Sequence, residues 1–376
     1  MRILVLSKRQ YTSKDLLDDR YGRLSEIPKH LARQGHAVYG LVLSYRKRTE
    51  YPFPGPPLTA GDVSWYSINL GLNPLSGIRR HQRALDRLVV AIQPDVIWAC
   101  SDAFHVILAA QIKKRHNLPF IADLYDNFES FAATRLWSVK ERYHSALSLA
   151  DGITVVSENL RSLIRSQVGP TKPLCVLTNA IDPNLFYRRD KRQCRKKLGL
   201  PAEQVLIGTA GSLTRDRDIQ VLYDAFRDLS SRDPAIGLAV AGPRKRSLPP
   251  PAGKNVYDLG LLPHDKIALL ASTLDVAVIC NKPSAFGEYC FPQKFYEFLA
   301  GGTPVLAAAV GALKELLAPW PQNRYDSARP ETVPSRILGL IEKPTLPDLP
   351  IPTWAGQAQS LSRFMQQVLH APTEVR

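Results

Sequence analysis

Lys294 and Glu297 stand three residues apart in the stretch Phe291-Pro292-Gln293-Lys294-Phe295-Tyr296-Glu297-Phe298-Leu299-Ala300-Gly301-Gly302. On a helix that spacing puts an ammonium and a carboxylate on one face, with Phe295, Phe298 and Leu299 packing behind. Pro292 suits the first helical position, because its fixed φ matches the turn and its missing N–H would find no partner there anyway. The amides that follow Phe291 are then expected to form an anion-binding helix N-terminus. A cation beside such amides suits a diphosphate, and a carboxylate one turn on can accept two hydrogen bonds from a ribose diol. An amphipathic helix with a surface Lys–Glu pair would carry the same spacing, so spacing alone leaves both readings open.

The elements that must position these groups follow from hydrophobic patterning. Short continuous apolar runs at Ile3–Leu6, Ala37–Leu43, Asp95–Ala99, Pro119–Leu124, Gly152–Val156 and Leu174–Leu177 read as strands covered on both faces. Helix-like stretches at Leu24–Gln34 (closed by Gly35) and Phe104–Arg115 alternate with them. The alternation implies βαβ units and a doubly wound parallel sheet. It restarts at Val205–Gly211 and runs through Gly237–Gly242, Val256–Gly260 and Val276–Ile279. Between the two series, seven cations (Arg188, Arg189, Lys191, Arg192, Arg195, Lys196, Lys197) fall within ten residues and read as an exposed connector. The expected organisation is therefore α/β: a Rossmann-like domain at 1–183, a basic connector at 184–200, a second Rossmann-like domain at 201–352, and a terminal helix at 353–376 that packs back on the first domain. Ligands of such domains bind at the carboxyl ends of the strands, in a cleft where the strand order reverses.

At 376 residues the chain is long enough for two domains. Its 45% hydrophobic and 22% charged residues exclude a disordered tail or a coiled rod. A formal charge of +15 leaves three partners open: nucleic acid, an anionic membrane surface or a phosphorylated substrate. The N-terminus has four apolar residues, Ile3–Leu6, before charge resumes, against the roughly 7–15 of a signal-peptide core. No stretch approaches a membrane span, and the expectation is a cytoplasmic protein. The five cysteines are scattered, with no CxxC pair or histidine at metal spacing, and read as reduced and mostly buried.

The stretch from Phe286 to Leu306 resembles the donor-binding segment of family-four glycosyltransferases of the GT-B fold, in which two glutamates eight apart precede a helix ending in Ala-x-Gly-x-Pro-Val. Glu297 matches the second glutamate, which in the family holds the nucleotide ribose. The first would fall at Tyr289, where only Glu288 is near. Gly211-Ser212-Leu213-Thr214-Arg215-Asp216-Arg217 is similar to the family's glycine loop, in which a basic residue grips the donor diphosphate. Arg217 stands at the family's lysine, and Arg215 can substitute for a cation that is often found where Ser212 stands. Solvated loop charges would look the same. The segments at 150–160 and 176–186, Gly35-His36 and the helix after Trp354 also match the family, all read as scaffold. On the acceptor side, Asp19-Arg20-Tyr21-Gly22-Arg23 occupies the place of a Gly-Gly loop, and Tyr125 falls near a histidine that faces the reacting sugar. Asp126 is then the candidate to accept or orient the acceptor hydroxyl proton, unless it only caps the next helix.

The resemblance implies transfer of a glycosyl group from a nucleotide-diphosphate sugar, UDP- or GDP-linked, to a hydroxyl of a lipid-linked or saccharide acceptor, with retention of configuration. Arg217, Lys294 and the amides near Phe291 would stabilise the leaving diphosphate in place of a metal, and no cofactor beyond the nucleotide sugar is expected. Bacterial polysaccharide, lipopolysaccharide or glycolipid synthesis is the implied setting. Residues 1–50 hold eleven Lys+Arg against five Asp+Glu, which suggests docking on the inner face of an anionic membrane. Competing readings are a nucleic-acid-binding protein using the 188–197 run, although only Tyr187 adjoins it for stacking, and a catalytically idle nucleotide-sugar-binding homologue. A dehydrogenase would need a G-x-G-x-x-G after Leu6, Gly211 or Gly242, and none is present.

Overall fold

A computed structural model describes residues 1–11, 14–51, 61–131, 134 and 137–370, in two compact units: 1–179 joined by the segment from Trp354, and Ala180–Thr353.

The first unit is built on a seven-stranded parallel sheet. In space its strands run Val63–Asn69, Ala37–Ser44, Arg2–Lys8, Val96–Ala99, Phe120–Leu124, Gly152–Val155 and Leu174–Val176. The register Ile3↔Val38 and Ile3↔Val96 puts the Ile3–Leu6 run at the centre of the sheet, where all four side chains are fully buried. That is why this strand is apolar without alternation: helices cover both its faces. The helix Arg23–Arg33 matches the predicted Leu24–Gln34 within a residue, and Ala103–His116 matches Phe104–Arg115. Three further helices, Pro74–Ile92, Trp137–Leu149 and Glu158–Val168, complete the layers. The last helix, Trp354–His370, lies against Arg23–Arg33: Gln34 Nε2 donates to the Ala355 carbonyl at 3.2 Å, and His36 Nε2 lies 2.8 Å from Ser362 Oγ. Gly152 is required at this contact, since a Cβ there would stand 2.8 Å from the Phe364 ring.

The second unit holds a six-stranded parallel sheet in the order Val256–Asp258, Ile236–Ala241, Val205–Ala210, Val276–Ile279, Val305–Ala308, Arg324–Tyr325. Its core gathers Ile207, Leu238, Val240, Val276, Val278 and Leu306 with Leu222, Phe226 and Leu229 of the helix Ile219–Arg232 and Ile337 and Leu340 of the helix Val333–Glu342. The last of these helices lies in the proline-rich stretch between Pro319 and Pro352. Pro334 costs it nothing, because a proline in the first turn removes a donor that has no acceptor.

Two expectations are corrected. The stretch 184–200 is not an exposed connector, since it contains the helix Lys191–Leu198, capped by Asp190 through its side chain to the Gln193 amide at 2.7 Å. Cys194 and Arg195 on its inner face are buried, and Arg195 donates to the carbonyls of Thr273, Ala202 and Gln204 and pairs with Asp275 at 2.8 Å. A charge run disguised an amphipathic helix, because a guanidinium can be buried when every N–H finds an acceptor. The donor-side helix begins at Lys294 rather than Pro292 and spans seven residues, Lys294–Ala300. The Pro292 carbonyl accepts the Phe295 amide at 3.0 Å and that of Gln293 accepts Tyr296 at 3.0 Å and Glu297 at 3.3 Å, so these three amides are spent in the turn.

Candidate active site

In both sheets the chain's first strand lies between its second and fourth, so the strand order reverses beside it. Loops after the first and fourth strands therefore splay apart at their carboxyl ends and leave a crevice. In the Ala180–Thr353 unit these loops are Gly211–Asp218 and the segment from Cys280 to Gln293.

Gly211 turns the chain at φ 106°, a left-handed conformation, and Gly242 after the neighbouring strand does so at φ 141°. The two turns pack so closely that a Cβ on Gly242 would sit 1.9 Å from the Gly211 carbonyl. Lys294 reaches this turn: a Cβ on Gly211 would stand in ordinary contact with its Nζ, at 3.5 Å. Beyond it, Arg215–Arg217 form a single 3-10 turn. Arg217 lies with its guanidinium carbon 4.2 Å from the Phe286 ring centroid and Nη1 3.7 Å from Cys290 Sγ. Burial, and then the Arg217 charge, pulls the Lys294 pKa down to about 8. Among the described residues neither Arg217 nor Lys294 has an acidic ion-pair partner. Two cations held together with no ion-paired carboxylate are electrostatically costly even with Glu297 nearby, and a bound polyanion lowers the cost.

Glu297 is 5% exposed, one turn beyond Lys294. Gln293 Nε2 donates to its Oε1 at 2.8 Å, and His264 Nε2 lies 3.4 Å from the same oxygen. His264 is in turn held against Phe186, ring centroids 5.0 Å apart. With both neighbours on Oε1, the geometry leaves Oε2 to accept from a ligand. Phe291 is buried and stacks on Tyr296 at 4.8 Å and 21°, so it acts as a wall behind the cations. Arg215 and Ser212 are exposed at the rim. Glu288, the nearest acid to the expected first glutamate, accepts the Gly311 amide at 3.3 Å and so joins the segments instead of pointing to the crevice. The sequence predicted Gly211, Arg217, Lys294 and Glu297, which the fold brings together, but not His264, Gln293, Phe286 or Cys290. His264 sits 33 residues from Glu297 in the chain, so no local pattern could have revealed it.

In the first unit the equivalent crevice is lined after Lys8 and after Ala99. Gly22, φ 73°, opens the helix Arg23–Arg33, and a Cβ on it would meet the Tyr11 ring at 2.9 Å, so one glycine serves here. Arg20 is exposed at φ 47°. Directly after Gly22, Arg23 is fully buried and forms a bidentate pair with the equally buried Asp123 (2.6 and 2.9 Å), while its Nη1 donates to the Leu177 carbonyl at 2.5 Å. This pair was not predicted; it ties the loop to the ends of two strands, Phe120–Leu124 and Leu174–Val176. Tyr125 is buried, donates its hydroxyl to the Ser101 carbonyl at 2.9 Å and meets Tyr11 edge-on at 5.2 Å. Asp126, half-buried, lies beside both rings: burial, followed by the Asp126 charge, pushes the Tyr11 and Tyr125 hydroxyls up in pKa.

Comparison with known proteins gives this arrangement a family context. The model of Glycosyltransferase Family 4 matches residues 24–185. The chain is 23% identical over 304 residues to N-acetyl-alpha-D-glucosaminyl L-malate synthase of Bacillus anthracis, covering 78% of this chain and 76% of that protein. It is 27% identical over 227 residues to D-inositol 3-phosphate glycosyltransferase of Stackebrandtia nassauensis, covering 57% of this chain and about half (49%) of the relative. Among solved structures, sucrose-phosphate synthase from Thermosynechococcus elongatus superposes with a TM-score of 0.70 at 16% identity, covering 98% of this chain and 95% of that one. Anabaena Alr3699/HepE in complex with UDP-glucose does so at 0.68 and 17%, with 98% of each chain covered. The two parallel sheets and these solved structures show the GT-B fold, and the family model and the relatives with which the chain shares sequence are glycosyltransferases.

Proposed function

We propose that the protein transfers a glycosyl group from a nucleotide-diphosphate sugar to an acceptor hydroxyl, with retention of anomeric configuration and without a metal. One observation carries the reading: Arg217 and Lys294 converge on the Gly211 turn with no carboxylate between them, while Glu297 waits one turn on. Structural neighbours with UDP, UDP-glucose or UDP-2-fluoro glucose bound support a nucleotide sugar as the ligand of such a site. As the sugar–phosphate bond breaks, negative charge grows on the leaving diphosphate; the guanidinium of Arg217 and the ammonium of Lys294 stabilise it, the charge neutralisation that a metal supplies elsewhere. Glu297 Oε2 accepts from the ribose hydroxyls, and Phe291 keeps the crevice wall apolar. On the acceptor side, Asp126 accepts or orients the hydroxyl proton, with Arg20, Gly22 and Tyr125 shaping the loop around it. The acceptor is a saccharide or a lipid-linked molecule of bacterial polysaccharide, lipopolysaccharide or glycolipid synthesis, met in the cytoplasm at the inner membrane face.

The nucleic-acid reading draws less support from the fold. Arg195 of the basic run is buried and Arg189 lies on the Tyr187 ring at 3.8 Å, which uses the one adjoining aromatic. Nucleotide release from a panel of UDP-, GDP- and ADP-sugars tests the proposal, with chelator present throughout. Release from at least one donor, lost in Glu297→Ala, is expected; no donor binding at millimolar concentration would overturn it.

A further inference from the structure

We propose that the face formed by the loop 69–76 and the exposed side of the helix Pro74–Ile92 is a membrane-docking surface that inserts Leu72 and Leu75 into an anionic bilayer. This rests on the membrane reading above and not on the transfer reaction. Leu72 is fully exposed and Leu75 is 69% exposed, at the tip of the loop. They are held out rather than left loose. Asn73 caps the helix through Oδ1 to the Ser76 amide at 3.2 Å, and Gly77 packs so tightly on the preceding segment that a Cβ would lie 1.9 Å from the Leu70 carbonyl. Asn69 ties the loop to the neighbouring one, exchanging hydrogen bonds with the Arg48 backbone at 3.1 and 2.7 Å.

Around the leucines the charge is of one sign. Arg79, Arg83 and Arg87 follow Leu75 at intervals of four along the exposed side of the helix, and Arg46 and Lys47 project from the adjoining loop. None of these five has an acidic ion-pair partner among the described residues, whereas the nearby acids are taken: Glu50 by Arg80 and Asp86 by Arg115 and His116. Tyr45 and Tyr51, 44% and 43% exposed, add aromatic rings at the same edge. Rigid apolar tips beside unpaired cations and exposed tyrosines match the chemistry of an interface of anionic headgroups over acyl chains. A polyanion without an apolar layer, such as RNA, would leave the two leucines unexplained.

Co-sedimentation of the full chain with vesicles of phosphatidylcholine alone, or with 30% phosphatidylglycerol, tests the surface. The expected result is binding to the anionic vesicles that weakens with salt. Both Leu72→Ser/Leu75→Ser and Arg79→Gln/Arg83→Gln/Arg87→Gln should weaken it at least tenfold, while UDP affinity stays unchanged. Equal binding to both vesicle types, unaltered binding by the leucine variant, preferential binding of RNA, or a dimer in light scattering that the leucine variant dissolves would each overturn it. UDP binding measured on the same preparations separates failure of this surface from failure of the donor site.

Discussion

Lys294 is the residue at which chemistry and stability oppose one another. Its pKa in the fold, about 8, lies below the ordinary 10.5, so between these values the unfolded chain binds more protons and stability rises with pH. At pH 7 the charged amine therefore destabilises the ligand-free protein, and Lys294→Met should raise the unfolding free energy by about 2 kcal/mol at pH 7 and by little at pH 10. The same proton governs binding: diphosphate affinity should fall as pH rises through about 8, and thermal shift and titration calorimetry across pH 6.5–9.5 check both slopes. Glu297 behaves differently, because the role proposed for it is acceptance of ribose hydroxyls. Glu297→Gln should weaken a nucleoside diphosphate about tenfold to a hundredfold while leaving inorganic pyrophosphate affinity nearly unchanged. His264→Phe keeps the stacking on Phe186 but removes the contact with Glu297, and should weaken nucleotide binding less than Glu297→Gln does. Lys294, Glu297 and Arg217 could be read from sequence because they flank helix and glycine-turn signals. His264 could not, since only the packed sheet brings it to Glu297.

At the scale of elements, continuous apolar runs located the central strands well, because a strand buried on both faces has no polar alternation to blur it. Elements outside that pattern were hidden for separate reasons. The helix Lys191–Leu198 was masked by cations whose buried member, Arg195, is satisfied by carbonyls, and Arg195→Met should destabilise the protein by about 3 kcal/mol by leaving three carbonyls without their donor and Asp275 with only Lys191 and the Leu206 amide. The edge strand Val63–Asn69 has no continuous apolar run, because Ser64, Ser67 and Asn69 interrupt it, so the pattern that located the central strands passed over it. Helix Pro74–Ile92 buries His81, whose two ring nitrogens have no hydrogen-bond partner among the described residues and whose pKa burial drags down to about 3. His105 faces it at 6.1 Å from the helix Ala103–His116, with Asp102 beside it. A histidine kept neutral in the fold and charged when unfolded removes stability as pH falls from about 6.5 towards 3. His81→Phe should therefore flatten the acid limb of the stability profile, which urea unfolding at pH 4 and 7 measures.

Over the whole molecule, the sequence disclosed two α/β units because each is wound from repeated βαβ segments. It could not disclose which loops become neighbours, since that depends on strand order: both sheets reverse direction beside their first strand, and the residues with unspent chemistry gather there. The net charge of +15 divides accordingly. Two of the unpaired cations lie at the Gly211 turn, and the unpaired arginines of Pro74–Ile92 face outward. The central claim is that Arg217 and Lys294 hold the donor diphosphate. Titration calorimetry of UDP, GDP and ADP against the parent chain, Arg217→Met and Lys294→Met at pH 7 tests it most directly. One diphosphate should bind the parent and bind each variant at least tenfold more weakly, with the corresponding nucleoside indifferent to both changes. Binding by either variant with the parent's affinity would contradict it.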